Sequence, residues 1–496
     1  MIGQHYYKEK LVKMGHWDLL PADSESWMAQ PTNDYFRQIF GIGKSVLVVC
    51  TLDDGFEHAY ILKSYFKNLY KRIDQINQDD PRALEKILTN FYPFKQKAKK
   101  HLPKISLKNP QAATNQQLIL AYKENRDWCQ RATVYDQFGW LAEDYWTHKM
   151  ARVLTKKLGI KKNSEKYHQT LFALTKPQKI STTLEEKRAI LKEVIAVKNK
   201  KQTSQKASKK MASQFGFMPI FAYGDPWDVQ HYQSEIFSLL TTKLKDLKSE
   251  YNKLKNHTQL RNQEIDKIVK EYHISKKDLQ IFIDFGLALD ARNEAEYIVS
   301  LSGYYLRSLY KEMAKRLHLS VKQLRMLFED EIIQALQGKL NPQTTIEKRG
   351  KVVAYGFDKK MEKRINFSPS QSKKLFKHLE SYVKLVQGAN ENKGVCANIG
   401  KVQGIAKILT TVKDNHKVNQ GDIMIAHATS VDSLPPMKKA AAFVTEIGGL
   451  TCHAAVVSRE FGVPCIVSLK NATKNFKDGD LVEVNATKGT VKKLKK

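Results

Sequence analysis

Cysteine is scarce. The 496 residues hold five, Cys50, Cys129, Cys396, Cys452 and Cys465, odd in number, widely spaced and without a CxxC pair. That excludes a disulfide framework and offers no zinc-binding pattern, so a reducing compartment fits. Long apolar runs are missing too: nowhere do about eighteen apolar residues follow one another, the length that spans a bilayer. The opening stretch, MIGQHYYKEKLVKMGHWD, has no apolar core of signal-peptide length. A cytoplasmic protein without membrane attachment is the simplest expectation. Acidic residues are few, 51 against 83 lysines and arginines, which leaves a formal charge of +32. Such an excess attracts phosphate backbones. The lysines, however, run along almost the whole chain in the manner of a solvated surface, and no zinc-finger spacing, RNP-like string or heptad-linked basic region accompanies them. Specific nucleic-acid binding is therefore not expected.

With 42% hydrophobic and 10% aromatic residues the chain belongs with folded globular proteins. Its length favours about two to four domains. From Gln116 to Leu336 apolar residues recur every three or four positions, as at Ile298, Leu301, Tyr305, Leu309 and Met313, which predicts helices. Thr182 with Glu185, Ser275 with Asp278, Ser320 with Gln323, and Ser368 with Gln371 have the spacing of reciprocal helix caps. The cationic stretch Val197–Met211, VKNKKQTSQKASKKM, reads as a mobile loop. QGANENKG, 387–394, reads as a linker. After Gly394 short apolar runs near Ile423, Val444, Ile466 and Val482 predict strands, with one helix over CHAAVVSREFG. Near the start, GKSVLVVCTLD suggests a strand and EHAYILKSYFKNLYKRIDQI a helix. The expectation is multidomain: a small mixed or helical N-terminal region (1–115), a helical domain (116–386), the linker (387–394) and a C-terminal α/β domain (395–496).

The segment that carries chemistry is TEIGGLTCHAAVVSREFGVPCIVS, Thr445–Ser468. A strand ends at Thr445, Gly448 and Gly449 make a turn of open backbone, and a helix begins around Cys452, so His453 lies in the helix's first turn. Free amides and the positive dipole end of a helix favour a phosphate dianion there. Imidazole, partly neutral near pH 7, is a good phosphoryl carrier. Thr451 and Cys452 flank the histidine and line the turn.

This string resembles the signature of the mobile, phosphohistidine-bearing swivelling domain of phosphoenolpyruvate-utilising enzymes such as phosphoenolpyruvate synthase, pyruvate phosphate dikinase and rifampicin phosphotransferase. The likeness extends through GDIMIAHATS (421–430), REFGVP (459–464) and KDGDLVEVNATKGTV (477–491). It implies that His453 is the phosphorylated residue, supported by Gly448, Gly449, Thr451 and Cys452. It also implies ATP or phosphoenolpyruvate as donor, with Mg2+, and a phosphotransferase activity. Ser430 and Val431, and Asn485 and Ala486, depart from the family's usual Asp-Pro and Asp-Gly steps; both departures are expected to lie away from the histidine turn. Arg459, about 240° around the helix from His453, is expected to point away from its phosphate. More weakly, Arg292–Leu336 is similar to the helical segment that holds the acceptor in rifampicin phosphotransferase-like proteins.

Neither an ATP-grasp domain nor a phosphoenolpyruvate-binding barrel is recognisable, and the barrel alone takes about 250 residues. GIGKS (41–45) resembles the end of a P-loop, but Gln38 stands where the first glycine belongs and the strand follows instead of preceding; it reads as a turn. The donor site is then expected either within the helical region in unrecognisable form or on another protein, such as a separate nucleotide-binding, ATP-grasp partner, with a small-molecule acceptor and no metal site in the chain itself. The aromatic segment around Tyr223, Trp227, His231 and Tyr232 reads as core packing or a pocket lining. The alternative function is a non-catalytic regulatory or binding protein that keeps the phosphohistidine fold.

Overall fold

The computed structural model describes residues 6, 11–18, 20–22, 30–44, 46–53, 56–78, 80–220, 223–358, 360–386 and 393–494. The chain forms two compact units, each discontinuous in sequence: Met1–Ala142 with Leu301–Glu391, and Glu143–Ser300 with Asn392–Lys496. The expected boundary near residue 115 is therefore displaced. Most of the predicted linker, 387–392, lies outside the described residues.

In the first unit, strands β1 (Leu11–Asp18), β2 (Val46–Thr51), β3 (Phe56–Leu62), β4 (Val352–Phe357) and β5 (Arg364–Asn366) form an antiparallel sheet in the order β1-β3-β2-β4-β5. Residues 1–115 are thus not a domain of their own, because two strands of their sheet come from beyond residue 350. The run expected to be helical from Glu57 begins instead as β3, and the helix is confined to Lys63–Ile76. Pairing on both edges, with β1 and β2, overrides local preference there. The GIGKS turn ends the helix Gln30–Phe40: Gly41 has φ of 71° and its amide donates to Arg37 O at 2.8 Å. Lys44 is fully buried and donates to Gln137 Oε1 at 2.6 Å, so it presents no ammonium to a phosphate.

The second unit contains helices α1 (Glu143–Arg152), α2 (Thr182–Lys198), α3 (Ser204–Phe215), α4 (Val229–Leu240) and the 41-residue α5 (Lys276–Arg316), whose last turns continue into the first unit. Two readings are corrected here. The stretch read as a mobile loop over 197–211 is mostly α3, because Thr203 caps it through Lys206 N at 3.2 Å, and Ala207, Met211 and Phe215 recur every fourth residue to bury one face. Its lysines occupy the opposite, wet face. Thr203→Ala is expected to cost about 1 kcal/mol, read as a lowered denaturation midpoint. The α2 cap is Ser181, one residue earlier than expected, which frees Thr182 to donate its amide and hydroxyl to Glu294, each at 2.7 Å.

The C-terminal part of this unit is a seven-stranded sheet with β6 (Val395–Asn398), β7 (Lys401–Leu409), β8 (Ile423–Ala426), β9 (Ala442–Thr445), β10 (Cys465–Val467), β11 (Leu481–Asn485) and β12 (Thr490–Lys493), ordered β12-β11-β7-β8-β9-β10-β6. β7, β8, β9 and β10 run parallel, and the outer pairings are antiparallel. Ile423, Ile425, Ala442, Val444, Ile466, Val482 and Val484 form its core with Phe476. Helix α6 (His453–Phe461) connects β9 to β10 and packs on that end of the sheet. The site it begins therefore lies beyond the carboxyl ends of parallel strands, where open α/β sheets hold their ligands.

Candidate functional site

β9 stops at Thr445, whose hydroxyl donates to Ile447 O at 2.8 Å. The chain then turns through two glycines with separate tasks. Gly448 has φ of 120°, and a Cβ on it would stand 2.8 Å from the Cys452 sulfur. At Gly449 a Cβ would overlap the carboxylate of Glu143, the first residue of α1. Ser468 ties the turn down by donating to Gly448 O at 2.5 Å. Cys452 is the N-cap and α6 begins at His453. Burial pushes the Cys452 thiol up, which makes it a packing group of the turn and a poor nucleophile.

Thr451 is buried at the centre of a polar cluster. Its hydroxyl donates to Glu143 and accepts from Arg292 on α5, while the other Glu143 oxygen accepts the Leu450 amide. The glycine turn thus already holds an oxyanion, the Glu143 carboxylate, on a backbone amide and a hydroxyl. His453 follows, with 3% of its surface exposed. Its Nδ1 lies 3.4 Å from the Thr429 hydroxyl, and its buried Nε2 has no hydrogen-bond partner among the described residues. Burial chiefly, and the Arg292 charge second, lower the ring's pKa to about 3. The imidazole is therefore neutral at physiological pH, with a lone pair free on one nitrogen.

The surroundings hold this geometry. His427 Nδ1 lies 2.7 Å from Glu446 Oε2, and Glu446 Oε1 accepts from Thr473 N at 2.8 Å; together they brace the ends of β8 and β9 and keep Thr429 opposite His453. Arg459 donates to Ala397 O at 3.0 Å and to Leu450 O, tying the turn to β6. One expectation is revised. Ser430 and Val431 do not lie far from the histidine turn, since Ser430 directly follows Thr429 and starts the short turn Val431–Ser433.

The match to known proteins falls on this same segment. Residues 418–489 fit the family model described as PEP-utilising enzyme, mobile domain. This stretch carries the signature of the PEP-utilising enzyme mobile domain. It is similar to the corresponding stretch of a probable phosphoenolpyruvate synthase of Archaeoglobus fulgidus, 50% identical over 99 residues, or 20% of this chain and 13% of that protein. Phosphoenolpyruvate synthase of Pyrococcus furiosus is 46% identical over 101 residues, 20% of this chain and 12% of its own length. The enzyme of that name from Pseudomonas aeruginosa is 39% identical over 99 residues, again 20% and 12%. The chain thus spans only about an eighth of the length of these relatives. Glu143 and Arg292 lie outside the family-model match, and sequence reasoning did not single them out. Arg292 opens the segment noted for its likeness to acceptor-holding helices, but nothing in its spacing signals that it meets Thr451. Thr429 lies within GDIMIAHATS, where no local pattern points toward the histidine.

Proposed function

We propose that the mobile domain carries a phosphoryl group on His453 between a donor, ATP or phosphoenolpyruvate bound by a separate protein, and a small-molecule acceptor presented by the helices of its own unit. The observation that carries this reading is the buried, neutral His453 with an unpartnered Nε2 beside an anion-holding glycine turn. In the tautomer with its proton on Nδ1, facing the Thr429 hydroxyl, the Nε2 lone pair is the one that attacks phosphorus. The N–P bond forms as the donor's O–P bond breaks and the leaving oxygen keeps the electron pair; the Nδ1 proton then passes to solvent water, which restores a neutral ring. Arg292 offsets the charge gathering on the phosphoryl oxygens, and the Leu450 amide and Thr451 hydroxyl become donors to it only once they release the Glu143 carboxylate that they hold in this structure. On this reading Mg2+ comes with the donor, and no step here passes through it.

The test is incubation of the purified chain with labelled ATP or phosphoenolpyruvate, with and without cell extract. Acid-labile label on the wild type, absent from His453→Ala, is the expected result. No label under any condition would favour the regulatory, non-catalytic reading. No described helix is long and apolar enough to cross a membrane.

A further inference from the structure

Lys438 caps the four-residue helix Leu434–Met437 of the mobile domain, and its side chain leaves that domain altogether. Its ammonium enters a seat made by α2, α4 and the residues before α4. It lies 3.1 Å from Glu186 Oε2, 3.1 Å from Glu235 Oε1 and 4.4 Å from the centre of the Trp227 ring. The seat is built for it. Trp227 is stacked on His231 with centroids 4.3 Å apart, and Tyr232 donates to Glu186 Oε1 at 3.0 Å. The aromatic segment read from sequence as core or pocket lining is thus one wall of an ammonium site, and the domain that carries His453 supplies the ammonium.

The energetics make this contact a strong hold. Glu186 has a side chain 1% exposed, and a carboxylate so buried needs a cation beside it. A ring face adds further attraction to a desolvated ammonium. Lys438 lies outside the apolar cluster that stabilises the sheet, so its release empties no core position. In the same structure His453 is almost wholly shielded from solvent.

We propose that Lys438 is the latch of the mobile domain: seated on Glu186, Glu235 and Trp227 it holds His453 shielded, and its release exposes His453. The consequence for phosphoryl transfer rests on the carrier reading given above, but the latch itself does not. It is tested without any phosphoryl donor, by the rate at which diethyl pyrocarbonate modifies His453 in the full chain, read by peptide mass spectrometry. Lys438→Ala and Glu235→Gln are expected to raise that rate about tenfold or more, while backbone amide exchange across α5 stays unchanged. Lys438→Arg keeps a cation able to meet carboxylate and ring, and is expected to remain within about threefold of wild type. An unchanged rate in Lys438→Ala would overturn the latch. So would accelerated α5 exchange in both Lys438→Ala and Glu235→Gln, since Lys438 would then be a structural strut. If His453 becomes reactive as expected but accepts no label from any donor, the latch stands and the carrier reading falls.

Discussion

Between pH 6.5 and about pH 4, the buried ring of His453 is expected to stay almost wholly neutral. An ordinary histidine behaves otherwise: with a pKa near 6.5, only about 1% remains neutral at pH 4.5. Burial, and after it the Arg292 charge, keep the His453 proton off until about pH 3. Histidine-selective isotope labelling and NMR titration measure this directly. Arg292→Gln removes the second cause and is expected to raise the His453 pKa while leaving the ring buried. Lys438→Ala, by letting the domain leave its seat, is expected to move the titration toward 6.5. A wild-type ring that titrates near 6.5 would sink the argument, because the histidine would then be as wet as any surface imidazole.

The contrast between His453 and its neighbours shows what a chain can reveal about itself. The mobile domain was legible because its strands are short apolar runs between glycine-rich turns, and its histidine follows a Gly-Gly turn at a helix start; all of this is local. The carboxylate and guanidinium beside Thr451 were not. Glu143 and Arg292 reach the turn from helices about 310 and 160 residues earlier, and no local spacing encodes a contact that packing creates. The same holds for Lys438, one of the chain's many lysines, which only a buried Glu186 distinguishes from the rest. Local rules also failed at α3. Its charge masked an alternation of Ala207, Met211 and Phe215 that has helical period, so a solvated helix face looked like a loop. At β3 the error ran the other way, since a continuous apolar run has no period and sheet pairing decided its state.

Glu460→Gln is expected to abolish most of the loss of stability that the wild-type chain shows between pH 6.5 and pH 8. Glu460 lies in the last turn of α6 with both carboxylate oxygens shut away from water. Burial first, with the Glu294 and Asp290 carboxylates adding to it, pushes its pKa up to about 8, against the pull of the Ser181 and Thr183 hydroxyls. The folded chain therefore keeps a proton that the unfolded chain releases near 4.5. The stabilisation is full below 4.5, declines as pH rises and is gone above about 8. His453 has the opposite sign: the unfolded ring gains a proton near 6.5 that the folded ring refuses until about 3, so acid removes stability from 6.5 downward. From 4.5 to 6.5 the two slopes oppose each other. Above 6.5 Glu460 acts without His453, at about 1.4 kcal/mol per pH unit, or about 2 kcal/mol by pH 8. Urea denaturation at the two pH values measures this difference in wild type and in Glu460→Gln. His453→Ala should leave this limb intact and make the acid limb shallower, with His231 and the paired carboxylates Asp278, Asp414 and Glu446 still contributing to it, a separation that would not arise if Glu460 were ionised in the folded chain.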